Sequence, residues 1–292
     1  MTAFWQRLPV IVRAVLIGIL VNLLALPWPI LAGTNFKFFP RIPWSVAVMA
    51  IYMWVCWRYL GGSWWPRSTA DFRRRNLRAR PVSARAWRWS FLAFGLGWAS
   101  LKAFEYVFTR IFKVPQEPFP NVSAYPFVTV LAYLLMVAIV AGVYEEAGFR
   151  GYMQGPMERR HGPWVAYLVV GITFWLAHIT GYLGHWGLFF ASIWYFLIAA
   201  TLLGALAYLT DSILPGVVLH TLGDAISGLA WWWQSSRPLP AASQWTGLLP
   251  LAVVAVILLA LAAVWAYRRL AVVAQRDKAE SAVPRDSGAI AA

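Results

Sequence analysis

Long apolar stretches alternate with short polar connections along the whole chain. Stretches of spanning length lie at about 8–32, 44–60, 88–109, 125–156, 163–182, 187–209, 213–233 and 246–267. A helix needs ~20 mainly apolar residues to cross the hydrocarbon core of a bilayer, and every stretch except the second roughly reaches that length. The pattern therefore predicts an all-α fold: a polytopic bundle of about eight transmembrane helices, with seven as the alternative count.

The same pattern predicts four parts in the chain. Residues 1–120 form N-terminal transmembrane helices with a basic loop at 61–87, and residues 121–235 form a core that holds the polar motifs described below. Residues 236–270 form the last transmembrane helix. Residues 271–292 are mostly small and polar, so we expect a disordered tail there.

Composition and charge favour a membrane protein. Apolar residues make up 61% of the chain and charged residues only 12%, although the formal net charge is +14. Eight arginines lie between Arg67 and Arg88, where Asp71 is the only acid. Basic residues collected in one loop are typical of the cytoplasmic side of a membrane protein and not of a nucleic-acid-binding surface. We expect this loop and both termini in the cytoplasm, and a plasma or inner membrane whose anionic headgroups contact the loop.

Two adjacent glutamates, Glu145 and Glu146, follow the apolar run from Phe127 to Val143. A carboxylate at membrane depth costs roughly 3 kcal/mol or more unless it is paired or hydrated. On a helix, Glu146 and Arg150 share one face at i,i+4, which is the favourable orientation for an ion pair. Glu145 lies on another face, so we expect Glu146 to be structural and Glu145 to be a general base. The alternative is that both glutamates pair with basic groups of other helices.

Two histidine motifs follow in separate apolar stretches. Phe174-x-x-x-His178 and His220-x-x-x-Asp224 each place two side chains on one helix face. This spacing lets His220 and Asp224 converge on one ion or water, or lets the carboxylate orient the imidazole. The alternatives are a hydrogen-bonded core histidine at position 178 and a buried polar pair at positions 220 and 224.

The polar groups of all three motifs need partners in an apolar environment, and one shared cluster would supply them. Glu145, His178, His220 and Asp224 would then form a single site with room for water. Two histidines, one glutamate and a water are a hydrolytic zinc pattern. We therefore expect either a divalent metal held by these four residues, with zinc as the first choice, or no cofactor.

These motifs resemble those of the CPBP family, which contains CAAX prenyl proteases and bacteriocin-processing enzymes and is also called the Abi family. The family pattern is EExxxR, then FxxxH, then HxxxN or HxxxD, and the resemblance covers about 125–235. It implies a catalytic core of an intramembrane endopeptidase, and we favour a metalloprotease.

The resemblance also implies a role for each residue. Glu145 would activate a water that His178 positions, and His220 with Asp224 would bind the developing oxyanion or a metal. The residues that would support the site are Glu146, Arg150 and Phe174. Prenyl-protein proteases tend to have asparagine in place of Asp224. An ionised aspartate cannot donate to an oxyanion, so its role differs or it is protonated.

Three classes of function compete. The first is hydrolysis of membrane-associated peptides or proteins. The alternative is a non-catalytic membrane partner of the same fold, such as a bacteriocin immunity or scaffold protein, and the third is an ion- or proton-coupled transporter. We expect membrane lipids and a membrane-associated substrate as partners, whereas the substrate's identity and the oligomeric state do not follow from the sequence.

Overall fold

The computed structural model describes residues 3–112, 121–122, 124–235 and 246–282. Within them the chain is helical and has no strand, which confirms the predicted all-α fold. The α-helices of these residues are α1 Ala3–Arg7, α2 Val10–Asn22, α3 Pro27–Phe38, α4 Trp44–Leu60, α5 Ala70–Leu77, α6 Ala84–Ile111, α7 Phe127–Glu145, α8 Gly155–His161, α9 Pro163–Ala177, α10 Trp186–Ala191, α11 Ile193–Thr210, α12 Leu214–Ser235 and α13 Leu249–Ala282.

Helices occupy each of the predicted apolar stretches. Four continuous helical stretches of the described chain are long and apolar enough to cross a membrane: Val10–Phe38, Phe127–His161, Trp186–Thr210 and Leu249–Glu280. Pro163–Ala177 is a shorter apolar helix. The chain is thus a helical membrane protein, and its total of eight spans stays a prediction.

The stretch Phe127–His161 contains the two glutamates. A π-helical segment, Glu146–Gln154, lies between α7 and α8, and every one of its residues is buried. A π-helical turn takes up an extra residue and is frequent at functional sites. At 1.5 Å per residue, Glu145 lies about 27 Å from the start of this stretch and about 24 Å from its end. Both glutamates are therefore near the middle of a membrane-crossing stretch.

Glycines allow other backbones to lie directly on the π-helical segment. A Cβ atom added to Gly148 would lie 2.7 Å from the carbonyl oxygen of Gly18 in α2. A Cβ atom added to Gly151 would lie 2.9 Å from the carbonyl oxygen of Asn76, at the end of α5. Neither position has room for a side chain, so small residues bring α2 and α5 into close contact with this segment.

The remaining helices pack around this centre. α12 lies along α7, α11 packs beside α9, and α13 runs along α6. One core cluster joins α2, the π-helical segment, α9 and α11 through buried side chains that include Phe149, Met153, Phe174 and Phe196. This arrangement places α12 beside α7 and α9 beside the π-helical segment, so the three motifs lie close together.

The basic segment 61–87 was predicted as a loop, and this is wrong for part of it. Helix α5 occupies Ala70–Leu77 and α6 already begins at Ala84. Arg73 is only 3% exposed, and its guanidinium donates to the carbonyl oxygens of Trp64 and Pro66 at 2.5 and 2.9 Å. These bonds close the turn before α5, so this arginine stabilises the fold in addition to adding positive charge.

Arg78 has a second structural role in the same segment. It is 3% exposed and has a positive φ of 57°. Its guanidinium pairs with Glu158 of α8 at 2.9 Å and with Asp211, after α11, at 3.3 Å. It also donates to the carbonyl oxygen of Ala207 at 2.8 Å. Arg78 thereby ties the basic segment to α8 and to the turn between α11 and α12 at one end of the bundle.

The final helix is longer than predicted. α13 continues to Ala282, so residues 271–282, which we expected in a disordered tail, are helical. Polar side chains of its last turns have partners near the start of α6: Ser83 donates to Asp277 at 2.5 Å, and Arg85 pairs with Glu280 at 3.5 Å. These contacts explain how a polar stretch remains helical. The rest of the predicted tail, 283–292, lies outside the described residues.

Candidate active site

One cavity of about 200 Å³ brings the three motifs together. Its lining includes Glu145 at the end of α7, His178 after α9, and both His220 and Asp224 of α12. Phe174 of α9 also lines it. Residues that are far apart in the sequence thus face one small space, as the shared-cluster hypothesis predicts.

The sequence suggested that His178 lies inside a helix, but the residue lies immediately after α9. Its Nδ1 is 2.8 Å from the carbonyl oxygen of Phe174, and because a carbonyl can only accept, Nδ1 carries the hydrogen. In its neutral form, the ring then has its lone pair on Nε2. The imidazole also packs against Phe174 and Phe196, with ring centroids 4.8 and 4.5 Å away. These contacts fix the ring and leave Nε2 available to a group in the cavity.

The imidazole of His220 is held by Glu146. Its Nδ1 lies 2.9 Å from Oε1 of Glu146, so this nitrogen donates to the carboxylate. Its Nε2 faces two other carboxylates, with Oε2 of Glu145 at 3.7 Å and Oδ2 of Asp224 at 3.5 Å. The sequence predicted a contact with Asp224 but not the hydrogen bond to Glu146. Glu146 therefore determines which nitrogen of His220 faces the reactive side of the cavity.

Arg150 lies behind this hydrogen bond. Its Nη1 is 3.1 Å from Oε1 of Glu146, and both side chains are fully buried. The N–H groups of the guanidinium are not aligned for a hydrogen bond, so the contact is an ion pair. The Cζ atom of the guanidinium lies over the Phe174 ring, 4.8 Å from its centroid, which is a cation–π contact. The predicted pair of Glu146 and Arg150 is thus present and is supported by the aromatic residue of the second motif.

The two neighbouring glutamates have different environments. The Glu145 side chain is 17% exposed and faces the cavity, whereas Glu146 is 0% exposed and lies between Arg150 and His220. Asp224 is more open, with a side chain that is 45% exposed. One glutamate is therefore accessible to a ligand in the cavity, and the other is enclosed by its partners.

Sequence reasoning missed the aromatic walls of the cavity. Phe94, Trp98 and Leu101 of α6 line one side, and Tyr195 of α11 lines another. α6 belongs to the region before residue 120, which carries no family motif. Apolar and aromatic residues are abundant throughout the chain, so nothing in the sequence distinguished these four from ordinary membrane-facing residues.

A metal ion finds no preformed set of ligands here. Across residues 3–112, 121–122, 124–235 and 246–282, no group of three or more His, Cys, Asp or Glu side chains could hold one. Nδ1 of each imidazole is already bonded to the protein, and Nε2 of His220 faces its two carboxylates directly. The expected zinc ion stays a prediction from the sequence.

The fold and the site together define a class: a helical membrane protein with a carboxylate–imidazole site whose glutamate, Glu145, lies near the middle of a membrane-crossing stretch. Residues 127–226 match the family model Rce1-like, described as type II CAAX prenyl endopeptidase Rce1-like. This match supports the resemblance of that region to the CPBP family of CAAX-type proteases. No curated protein and no solved structure matched the chain.

Proposed function

We propose that this protein is an intramembrane endopeptidase that hydrolyses peptide bonds of membrane-associated proteins or peptides with a water activated by Glu145 and His178. The observation that carries the proposal is the single cavity into which Glu145, His178, His220 and Asp224 converge. A carboxylate that lies 3.7 Å from Nε2 of His220, beyond hydrogen-bond distance, next to an imidazole with a free Nε2 is a chemical arrangement suited to deprotonating water.

In the proposed reaction, Nε2 of His178 accepts a hydrogen bond from the water and orients it. Glu145 takes a proton from that water while its oxygen attacks the carbonyl carbon of the substrate. The resulting tetrahedral intermediate carries an oxyanion. Glu145 then returns the proton to the amide nitrogen, the C–N bond breaks, and a new carboxyl group and a new amine leave the cavity.

His220 and its partners would stabilise the oxyanion. In its doubly protonated form His220 keeps one N–H on Glu146 and offers the other, at Nε2, to the oxyanion. Asp224 cannot donate when ionised, and its Oδ2 lies 3.5 Å from Nε2 of His220. We therefore assign Asp224 the role of orienting the imidazole, and Glu146 with Arg150 the role of holding it from behind.

The cleavage test uses the new carboxyl group as its readout. Purified full-length protein in liposomes is incubated with a membrane protein fraction in ¹⁸O-labelled water, and mass spectrometry detects new C-termini that carry the label. We expect labelled termini with the wild type and a loss of about 100-fold or more with Glu145→Gln, since removal of a general base typically costs that much.

A matched control removes another glutamate of the membrane-spanning helices. Glu105 of α6 pairs with Lys102 at 2.8 Å and does not line the catalytic cavity, so Glu105→Gln should cleave like the wild type. Equal activity of Glu145→Gln and wild type would refute the assignment. Absence of labelled termini with folded wild type would instead favour the non-catalytic membrane partner.

We also propose that the basic segment and both chain ends face the cytoplasm of a cell with a plasma or inner membrane. The contacts of Arg78 with Glu158 and Asp211, and of Ser83 with Asp277, support a common side for these segments. In a Cys56→Ser background, the chain has no other cysteine. A cysteine at Ser68 should then resist an impermeant thiol reagent in intact cells, and one at Leu183 should react.

A further inference from the structure

A second cavity, of about 450 Å³, lies at the end of the bundle that carries the basic segment. Four arginines line it: Arg13 of α2, Arg75 of α5, and Arg159 and Arg160 of α8. None of the described residues in its lining is acidic. Below, we call this space the four-arginine cavity.

The nearby carboxylates do not neutralise these charges. Glu158 pairs with Arg78 at 2.9 Å, and Asp71 is 3.9 Å from Arg74. Arg159 donates to Oδ1 of Asn76, which is a neutral acceptor. In the described part of the chain none of the four arginines forms an ion pair. Four like charges around one cavity repel one another unless an anion enters.

The position of the cavity matches the level of lipid headgroups. Arg13 is near the start of the spanning stretch Val10–Phe38, and Arg159 and Arg160 are near the end of Phe127–His161. Basic pockets between transmembrane helices at this level bind anionic headgroups. The cavity is therefore at the membrane surface, where lipid phosphates lie.

Most of the remaining lining is apolar. Trp5, Ile17 and Phe72 contribute apolar surface to the cavity. Val12 and Leu16, which do not line the cavity but alternate with its lining residues along α2, are 41% and 44% exposed, so α2 has an exposed apolar surface beside the cavity. An amphiphile could place its charged group among the arginines and its acyl chains along this surface.

We infer that the four-arginine cavity binds the phosphate group of an anionic membrane lipid. Guanidinium groups match the geometry of phosphate oxygens with two parallel hydrogen bonds. The cavity volume is within the range of about 300–1,000 Å³ that small-molecule sites occupy. A zwitterionic lipid carries a cationic group that these arginines would repel, so net negative charge should decide binding. The inference is independent of the proposed proteolysis.

The test measures lipid binding to full-length protein in an uncharged detergent. Native mass spectrometry counts bound molecules, and tryptophan fluorescence gives the affinity. Three probes separate the sources of phosphate: dioctanoyl phosphatidylglycerol, dioctanoyl phosphatidylcholine and inorganic phosphate. We expect tight binding of one phosphatidylglycerol, at least about tenfold tighter than the other two probes, and weaker binding at high salt.

Two double variants locate the site. Arg75→Gln with Arg160→Gln removes two exposed arginines of the cavity, and Arg268→Gln with Arg276→Gln removes two exposed arginines of α13. The cavity variant loses charge-assisted hydrogen bonds to the phosphate and should bind phosphatidylglycerol about tenfold more weakly or worse. The α13 variant should bind within about twofold of the wild type, as no contact is removed.

Three results would overturn the inference. Equal affinity of the wild type for the two lipids would show that net charge is not recognised. This measurement does not depend on a variant that folds. Equal losses in both double variants would show a general charge effect. Inorganic phosphate binding as tightly as phosphatidylglycerol would assign the cavity to a free anion and not to a lipid.

Discussion

Replacing Glu146 by glutamine would remove one charge from a buried pair while keeping the size of the side chain. Glu146 and Arg150 are both 0% exposed, and their charged atoms are 3.1 Å apart. The same substitution one residue earlier, Glu145→Gln, alters a carboxylate that faces the cavity and is 17% exposed. The two variants should therefore separate an effect on stability from an effect on activity.

The distance and burial give the size of the effect. Coulomb attraction at 3.1 Å is about 5 kcal/mol at an effective dielectric constant of about 20. Removing one partner of a buried pair typically costs about 3–5 kcal/mol, because the other charge stays buried without compensation. We expect Glu146→Gln to lose about 3–5 kcal/mol of unfolding free energy. Glu145→Gln should lose at most about 1 kcal/mol, since it leaves no buried charge unpaired.

A double variant distinguishes lost charge from lost packing. Glu146→Gln with Arg150→Met removes both charges and keeps similar volumes, so most of the lost stability should return. Activity should stay below that of wild type, because no carboxylate then faces Nδ1 of His220. Stability is measured by unfolding in mixed micelles, followed by tryptophan fluorescence, and activity by the labelled-carboxyl assay.

The roles of the two glutamates would be refuted by the opposite pattern. If Glu145→Gln unfolds easily and Glu146→Gln does not, then Glu145 is the structural residue. If the double variant is as unstable as Glu146→Gln, the loss comes from packing and not from the unpaired charge of Arg150.

Three further predictions follow from the geometry. Gly148→Leu should cost about 1–3 kcal/mol or more in unfolding free energy because α2 leaves no space there, whereas Gly33→Leu, which meets no atom within 4 Å, should be neutral. Asp224→Asn should cleave within about tenfold of wild type because its amide oxygen can still accept from His220, and Asp224→Leu should lose more. For the predicted zinc, elemental analysis should find about one ion per wild-type chain and none in His220→Ala. Equal zinc contents of the two proteins would contradict that ligand set.

The helices were predictable because a membrane forces the backbone to satisfy its own hydrogen bonds. Each apolar stretch had to be helical, and the observed helices lie where the hydrophobic pattern indicated. The pattern did not predict that Glu146–Gln154 is π-helical, since the same residues are compatible with an α-helix. It also placed the end of the last helix too early, because the contacts of Asp277 and Glu280 with the start of α6 are long-range.

The convergence of the motifs was predictable for a related reason. Glu145, His178 and His220 are polar groups in apolar helices, and one cluster satisfies all of them. Arg78 was not predictable in the same way. Its ion-pair partner Glu158 is 80 residues further along the chain, and a buried arginine in a basic segment looks like its exposed neighbours. The role of Trp98 in lining the cavity was not predictable either, because Trp98 is one of many aromatic residues in the chain.

The site supports the separate roles that we propose for the two adjacent glutamates. Arg150 is four residues from Glu146, so their pair could be inferred from helix spacing, but His220 is 74 residues away and also binds Glu146. The positive charge of Arg150 compensates a carboxylate that in turn holds Nδ1 of His220, so Nε2 must face Glu145 and Asp224. Glu146 thus orients the imidazole as a hydrogen-bond acceptor and compensates the buried charge of Arg150. Glu145 lies just before the π-helical segment on a different face, and its distance of 3.7 Å from Nε2 of His220 leaves it without a hydrogen bond to that ring, which suits the base that we propose.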